Sequence, residues 1–367
     1  MLLMKIPYTN FSAKNSAIRQ QLVTAFEHVM DSGRYIQGPE MYAFETEFAS
    51  YCGARYATGV ANGTCGLHLV LRAMDIGAGD EVITAPNSFV ASASSIALVG
   101  ATPVFVDVAD DLNIDPKNIE AAITPRTKAI IPVHLAGRPA KMGPINMIAR
   151  QHGLFVLEDA AQAVGAKYGG VRTGSLGDAA SFSLHPLKNL HAFGDAGVVT
   201  TQKEALVNRL NMSKTHGLSS RDTCEFWSYN CRLDELQAAL LRVQLRELDR
   251  WTDERRQLAF RYNQLLAPFL TVPEEASGEF HVYQTYVVQA DQRNELQKHL
   301  VNHGVEVLVH YSTPIHVQPA ASSLNYLPED FPVTMHQSKR ILSLPLYPGL
   351  THDQQDYIAE LVAQFYK

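Results

Sequence analysis

The amino-acid sequence predicts an α/β protein with a wound, mainly parallel sheet and a second, smaller domain. Short, near-continuous apolar runs recur in the N-terminal half, at 81–84, 103–106, 128–133 and 154–157. Continuous rather than alternating apolar character is what a parallel strand buried on both faces requires. Helical stretches at 118–123 and 143–152 lie between such runs and complete βαβ units, the pattern of a sheet wrapped by helices.

Two amphipathic helices are predicted before the sheet begins. The first stops at Gly33 and places four apolar residues on one side, namely Ile18, Leu22, Phe26 and Met30. Proline is favoured in the first turn of a helix, so Pro39 is expected to open the second. The apolar residues of this second helix are Met41, Phe44 and Phe48.

After Thr201 the alternating pattern gives way to long helices. Apolar residues recur at helical spacing from 233 to 251 along a charged segment that lasts to about Phe269, which predicts a connector between domains. The remainder alternates strand-like 282–288, helical 294–303, strand-like 305–311 and a final helix that opens with a Thr351/Gln354 capping box. We therefore predict a large domain with the N-terminal arm at 1–250 and a small α/β domain at 251–367.

The composition describes a compact protein without an electrostatic preference for nucleic acid. The chain has 367 residues, 46% hydrophobic and 19% charged, which is enough for a sizeable core. Its formal charge of −6 is spread without a long basic run, so neither nucleic acid nor a membrane surface is an expected partner. The four cysteines form no Cys-x-x-Cys pair, and no secretory or membrane-length apolar segment is apparent. A cytoplasmic protein without a metal site is predicted.

Ligands of wound sheets bind beyond the carboxyl ends of strands, so the residues that follow the apolar runs are candidates for a functional site. The segment 61–67 combines two glycines and the Thr64 hydroxyl with a helix start. This combination could bind a phosphate, and it is equally typical of an ordinary capped turn without a ligand. Phe89 follows the run at 81–84, where an aromatic ring either stacks on a flat ligand or fills a core.

Two titratable residues are harder to explain as structure. Asp159 ends an apolar run and needs a cationic partner if it is buried, the alternative being a helix N-cap with Gln162 completing a capping box. Lys188 lies between Leu187 and Leu190. An apolar setting would lower the pKa of its amine and make it nucleophilic, whereas a solvated surface lysine is the ordinary alternative.

One cofactor accounts for all four features. Pyridoxal phosphate needs an amine for its aldehyde, a carboxylate for its pyridinium nitrogen, a phosphate cradle and a flat group against its ring. Lys188, Asp159, the turn at Thr64 and Cys65, and Phe89 supply one each. No Gly-x-Gly-x-x-Gly fingerprint follows a strand and no P-loop motif is present, which argues against a nicotinamide dehydrogenase or a P-loop enzyme.

Motifs along nearly the whole chain form a specific set: Gly38-Pro-Glu with Phe44-Glu45, Asn62-Gly-Thr, Gly79-Asp-Glu-Val-Ile-Thr, Gly100-Ala-Thr-Pro-Val-Phe-Val-Asp, Pro132-Val-His-Leu, Glu158-Asp-Ala-Ala-Gln, Ser181-Phe-Ser with Lys188, Asn230-Cys-Arg-Leu-Asp-Glu-Leu-Gln-Ala-Ala, His310-Tyr311 and Leu344-Pro-Leu-Tyr-Pro. In these motifs the sequence resembles the sugar aminotransferases of the DegT/DnrJ/StrS family, which have the aspartate aminotransferase-like (type I PLP) fold. Cys65 departs from the family pattern, since an acidic residue is frequent there.

The resemblance implies roles toward pyridoxal 5'-phosphate. It assigns the Schiff base to Lys188, the ring nitrogen to Asp159, the ring hydroxyl to Gln162, the ring face to Phe89, and the phosphate to Thr64, the Cys65 backbone, Ser183 and, from the second subunit of a homodimer, Asn230. Each active site would then lie at a dimer interface.

The resemblance also implies a reaction, a ping-pong transamination from L-glutamate to a keto-deoxysugar linked to a nucleoside diphosphate. Residues 186–190 with 194–197 favour a dTDP-3-keto sugar and a 3-amino product. A 4-aminotransferase acting on a UDP-, GDP- or dTDP-4-keto sugar is the alternative. A pyridoxamine-dependent sugar 3-dehydratase of the same fold is disfavoured because it carries histidine where this chain has Lys188.

Five further residues are candidates for substrate contacts. His185, three residues before Lys188, either packs beside Pro186 or touches the sugar, and packing is the favoured interpretation. The same two alternatives apply to His310 and Tyr311. Lys214 and Arg232 are either ion-pair members or cations for the two substrate phosphates.

Overall fold

The computed structural model describes residues 4–367. Its helices are α1 (Phe11–Ser16), α2 (Arg19–Ser32), α3 (Pro39–Cys52), α4 (Gly63–Ala73), α5 (Ala91–Leu98), α6 (Pro116–Ile119), α7 (Met142–His152), α8 (Glu204–Ser213), α9 (Glu235–Leu245), α10 (Leu248–Leu266), α11 (Arg293–Asn302), α12 (Pro332–Ser338) and α13 (His352–Tyr366). Its strands are β1 (Tyr56–Val60), β2 (Glu81–Thr84), β3 (Thr102–Phe105), β4 (Thr127–Ile131), β5 (Phe155–Asp159), β6 (Lys167–Tyr168), β7 (Val171–Arg172), β8 (Ala179–Ser183), β9 (Gly197–Thr201), β10 (Leu218–Ser220), β11 (Thr223–Cys224), β12 (Glu279–Phe280), β13 (Tyr286–Gln289) and β14 (Ile341–Leu344).

The main sheet has seven strands in the order β1-β9-β8-β5-β4-β2-β3. Strands β3, β2, β4, β5 and β8 run parallel to one another, and β9 runs antiparallel to both of its neighbours, β8 and β1. The four apolar runs of the sequence form β2, β3, β4 and β5, and the predicted α/β fold is confirmed. Since parallel strands end at one edge, the residues after β2, β5 and β8 are brought together there.

A proline and a carboxylate distant in sequence fix the start of α3, one of the two long helices before the sheet. Pro39 begins α3, as predicted, and the buried Glu235 carboxylate accepts hydrogen bonds from the first-turn N–H groups of Glu40 at 2.7 Å and Met41 at 3.0 Å. In α2 the prediction was partly wrong: Phe26 and Met30 are exposed, and Val29 is buried instead. The helix presents Leu22 and Val29, seven residues apart, to the core, so the stripe is narrower than the four-residue pattern indicated.

A second hydrophobic core lies toward the end of the chain. It is built from α10, β13, α11, β14 and α13, and it includes Ile6 of the N-terminal arm, whose N–H donates to the Gly304 carbonyl at 2.9 Å. Helix α10 belongs to both cores, because Leu248 packs into the first and Tyr262 into the second. A domain boundary at residue 250 therefore stays a prediction, and the arm contacts the smaller core.

The small domain has less strand than the sequence pattern indicated. Of the predicted 282–288 strand, only residues 286–288 are in β13, which extends to Gln289 and pairs with β14. The predicted strand at 305–311 is wrong: this segment makes single bridges from Val305 to Ile6 and from Leu308 to Ser343. Val305 and Val307 are buried without a continuous ladder, whereas Leu308 is exposed. The Thr351/Gln354 capping box of α13 is confirmed.

Among the described residues, no helix combines the length and the apolar character needed to cross a membrane.

Candidate active site

A cavity of about 630 Å³ lies at the carboxyl edge of the main sheet and is closed on its other side by the small domain. It receives residues that follow β2, β5 and β8, the first turn of α4, and the segment around His310. Ten of the thirteen site residues proposed from the sequence line it: Thr64, Cys65, Phe89, Asp159, Gln162, Ser183, His185, Lys188, His310 and Tyr311.

Asp159 is the buried acid of this cavity. It is the last residue of β5, and its carboxylate accepts a hydrogen bond from the Ser92 hydroxyl at 2.6 Å and one from the Ala161 N–H at 3.2 Å. Burial raises the pKa of this carboxyl above its usual range, and the nearby Lys188 ammonium opposes that shift. The helix N-cap alternative is not realised, because the chain after Asp159 forms turns.

Lys188 presents its amine to the same cavity from the loop after β8. Burial lowers the pKa of the amine to about 8, partly opposed by the Asp159 carboxylate. Gln284 of the small domain holds this loop on both sides of the lysine: its side chain accepts from the Asn189 N–H at 2.8 Å and donates to the Leu187 carbonyl at 2.7 Å. Lys188 is therefore a partly buried cavity residue and not a fully solvated surface lysine.

The start of α4 forms a cradle opposite the lysine. Asn62 caps the helix by accepting a hydrogen bond from the Cys65 N–H at 2.8 Å, so this N–H is already engaged. The Thr64 side chain lines the cavity beside Ser183. Gly63 is required here, since a Cβ at that position would lie 2.9 Å from the Ser183 Cβ. The close approach lets the first turn and the end of β8 face one ligand group, and such a turn suits an anion.

Aromatic and amide groups form the remaining wall. Phe89 is half exposed, and its ring centroid lies 5.6 Å from that of Tyr311. Gln162 accepts from the Ala136 N–H at 2.6 Å and donates to the Tyr311 hydroxyl at 3.3 Å, which links the two domains. His310 contacts the Ser343 hydroxyl at 2.9 Å, and burial together with Lys188 lowers its pKa to about 4, so its ring is neutral.

His185 is exposed to solvent and lines the cavity next to the lysine loop. Its Nδ1 accepts a hydrogen bond from the Leu187 N–H at 3.2 Å. Because the residue lines the cavity, packing beside Pro186 does not describe its position fully.

Three predicted residues do not line the cavity. The Lys214 amine is buried and donates to Thr58 at 2.6 Å and to Glu45 at 3.0 Å, so the ion-pair alternative holds and its selection as a cation for substrate phosphates is corrected. Arg232 bridges Val60 through its backbone. Asn230 is exposed and bridges Thr215.

Sequence reasoning missed several residues that shape the cavity, namely Tyr8, Ser92, Arg255 and Gln284. Ser92 was within reach of sequence analysis, because it lies in the helix that follows Phe89. The others lie far along the chain, and Arg255 is directed by the carbonyls of Tyr283 at 3.3 Å and Leu346 at 2.7 Å. No sequence motif marks such contacts between domains.

The residues present fit pyridoxal phosphate: an amine of lowered pKa, a buried carboxylate and an anion cradle face one cavity. The fold and this cavity define a pyridoxal-phosphate-dependent enzyme of the aspartate aminotransferase type. The chain belongs to the DegT/DnrJ/EryC1/StrS aminotransferase family, whose model matches residues 16–363. It is a transaminase.

Two curated relatives match almost the full chain. A "Pleiotropic regulatory protein" from Geobacillus stearothermophilus is 42% identical over 99% of each chain. A dTDP-3-amino-3,6-dideoxy-alpha-D-galactopyranose transaminase from Aneurinibacillus thermoaerophilus is 42% identical over 98% of this chain and 99% of the relative.

Two solved structures share the fold. S. venezuelae DesV, solved in complex with a ketimine intermediate, has a TM-score of 0.96 and 40% identity over 99% of each chain. The PLP form of a putative sugar aminotransferase from Streptococcus pneumoniae has a TM-score of 0.90 and 26% identity, with 94% of this chain and 95% of that chain covered. The cofactor prediction, pyridoxal 5'-phosphate, is confirmed.

The lowered pKa of Lys188 predicts the pH dependence of cofactor capture. Only the neutral amine attacks an aldehyde, and with a pKa of about 8 roughly a tenth of it is neutral at pH 7, against about one part in 3,000 for a lysine at 10.5. The rate at which cofactor-free protein takes up pyridoxal phosphate should rise about tenfold per pH unit up to about pH 8 and then level off. Stopped-flow absorbance measures this rate. A rise that continues to pH 10 would contradict the shifted amine.

Proposed function

We propose that this aminotransferase moves the amino group of L-glutamate onto a keto-deoxysugar linked to a nucleoside diphosphate, with a dTDP-3-keto sugar as the favoured acceptor. The observation that carries the proposal is the single cavity that joins Lys188 and Asp159 to a polar, open wall of His185, His310 and Tyr311. Its volume of about 630 Å³ is in the range of small-molecule sites. The name of the Aneurinibacillus relative supports the choice of a dTDP-linked 3-amino sugar.

The chain's own residues divide the work in the proposed reaction. When bound, pyridoxal phosphate supplies an electrophilic carbon and a ring that accepts electrons. Lys188 would hold the cofactor through its Nζ. The same amine, with its lowered pKa, would serve as the base and acid that moves a proton between the substrate carbon and the cofactor, for donor and acceptor alike.

The other cavity residues would orient the cofactor and polarise its ring. Asp159 keeps a proton on the ring nitrogen, and the Ser92 hydroxyl holds its carboxylate in place at 2.6 Å. Thr64 and Ser183 bind the cofactor phosphate, Gln162 meets the ring hydroxyl, and Phe89 covers the ring face. A cation held against a buried acid offsets the cost of burying that acid.

The proposed enzyme is a homodimer with shared sites. Asn230 lies outside the cavity of its own chain and is exposed, as is Trp227 at 88%. Large apolar side chains such as Tyr35, Ile36 and Tyr42 are also exposed, and exposed apolar clusters mark interaction surfaces. In the proposed dimer Asn230 reaches the partner's cofactor phosphate.

The test separates donor from acceptor. Purified protein should lose its visible cofactor band on addition of L-glutamate, with D-glutamate as the control, and regain it with the correct keto sugar. A panel of dTDP-, UDP- and GDP-linked 3-keto and 4-keto sugars, with NMR to locate the new amine, identifies the acceptor. Loss of the band only with a donor other than L-glutamate would overturn the proposed donor. Amination at carbon 4 would overturn the proposed 3-keto acceptor. Light scattering should give twice the chain mass of 40.5 kDa.

A further inference from the structure

Two cysteines that are distant in sequence meet at the edge of the active-site cavity. Cys65 lies in the first turn of α4 and lines the cavity. The Cys231 carbonyl accepts a hydrogen bond from the Ala61 N–H at 3.0 Å, and the next residue, Arg232, bridges Val60. This backbone pairing holds the Cys231 segment beside the α4 turn and places the Cys231 thiol within hydrogen-bonding reach of Cys65.

The two thiols have different acidities. The hydrogen bond from Cys231, with help from Asn62, lowers the pKa of the Cys65 thiol to about 7 against the opposing effects of burial and of Asp195. The same hydrogen bond raises the pKa of Cys231. A helix N-terminus also favours a thiolate. Both residues are partly exposed. A partly exposed thiol with a pKa near ambient pH is the best attacking group in thiol exchange.

The other two cysteines lack this combination. Cys52 is fully buried, and burial raises its thiol pKa. Cys224 is exposed, and its sulfur contacts the carbonyls of His216 at 3.4 Å and Phe226 at 3.3 Å. They are therefore matched internal controls, one inaccessible and one accessible but without a thiol partner among these contacts.

We propose that Cys65 and Cys231 form a reversible disulfide, a redox modification site that controls cofactor binding at the adjacent turn. The oxidant is a peroxide. The Cys65 thiolate attacks one peroxide oxygen, the O–O bond breaks, and the departing hydroxide takes a proton to become water. Cys231 then attacks the oxidised Cys65 sulfur: the S–S bond forms, the S–O bond breaks, and a second water leaves. Two electrons pass from the thiols to the peroxide.

The effect on the cofactor follows from the position of Cys65 and rests on the proposed function. Cys65 directly follows Thr64, the proposed phosphate ligand, and its own N–H binds the Asn62 cap. Drawing the Cys65 sulfur toward Cys231 displaces this turn. The loss of about one hydrogen bond to a charged group corresponds to roughly a tenfold or greater loss of cofactor affinity. An added reducing thiol such as dithiothreitol should cleave the disulfide, restore the turn and restore cofactor affinity.

The chemical test uses the full chain with Cys224→Ser. Trypsin then yields peptides 56–72 and 222–232 with one cysteine each, Cys65 and Cys231. After hydrogen peroxide and quenching with an alkylating agent, mass spectrometry should find these peptides linked, lighter than their sum by two hydrogens, and separated by dithiothreitol. Cys231→Ser should instead leave a sulfenic acid at Cys65 that dimedone traps. An unlinked pair of peptides, or links only to Cys52, would overturn the disulfide.

The functional arm compares cofactor retention before and after oxidation. Oxidised protein should bind pyridoxal phosphate about tenfold more weakly or worse, dithiothreitol should reverse this, and Cys231→Ser should retain its affinity after the same treatment. Unchanged affinity of the linked protein would overturn control of the cofactor. If the proposed function is wrong, reduced protein fails to turn over glutamate and the keto sugar, while its cofactor affinity and the linked peptide are still measured independently.

Discussion

Replacement of Lys188 by alanine is expected to remove the visible cofactor band and to lower turnover by about 10³-fold or more, because one change deletes both the covalent hold and the proton-transfer group. No other lysine lines the cavity among the described residues, and the pKa of this amine is lowered to about 8. Absorbance of the purified variant and turnover with glutamate and a keto sugar measure the two losses.

Lys188→Arg is the matched control. It keeps the charge and most of the bulk, yet a guanidinium stays protonated and does not attack an aldehyde. Both variants should fold, since the loop is held by Gln284 through the backbone of Leu187 and Asn189. Circular dichroism verifies this. A normal cofactor band in Lys188→Ala would disprove the assignment of the amine.

Replacement of Asp159 by asparagine should lower turnover by about 10²- to 10³-fold, the range for loss of one preorganised electrostatic contact. Asparagine keeps the shape but not the charge, so the ring nitrogen no longer holds its proton and the ring accepts electrons less well. Lysine remains in place, so the cofactor band should persist with a shifted maximum. Steady-state kinetics and absorbance separate this outcome from that of Lys188→Ala.

Two further variants provide comparisons for the loss of turnover expected in Asp159→Asn. Ser92→Ala removes only the 2.6 Å hydrogen bond to the carboxylate and should cost about tenfold. Asp107→Asn alters another aspartate, one that caps α12 through the N–H groups of Val333 at 2.9 Å and Thr334 at 3.0 Å outside the cavity, and should leave turnover per folded enzyme unchanged. Equal losses in Asp159→Asn and Asp107→Asn would indicate a structural role for both.

The cofactor end of the site could be predicted because its residues lie next to strand ends. Asp159 ends β5, and Thr64 follows Asn62 at the start of α4, so local pattern and the rule for wound sheets sufficed. The substrate end could not be predicted in this way. Arg255 and Gln284 enter from the small domain, and no local pattern records contacts of that kind.

The ion pair of Lys214 shows the same difference between what the local sequence indicates and what packing decides. In the sequence Lys214 is one of three Lys or Arg residues in the segment 214–232, and a phosphate is a reasonable partner for such a group. Burial decided otherwise, since the folded chain encloses its amine with Glu45 and Thr58. A buried ammonium must be paired. Its carboxylate partner, Glu45 of α3, is 169 positions away in the chain, and the two meet because α3 and α8 both pack against β1.

By itself the sequence determined the fold class, the strands β2 to β5, the α13 capping box and the cofactor, and it predicted Lys188 and Asp159 as cofactor residues, because each depends on short-range periodicity, capping chemistry or a motif. The tertiary structure alone decided how Gln284 holds the lysine loop, how far the pKa of Lys188 falls, and that Cys65 meets Cys231. These depend on burial and on distances between remote segments, which only packing establishes.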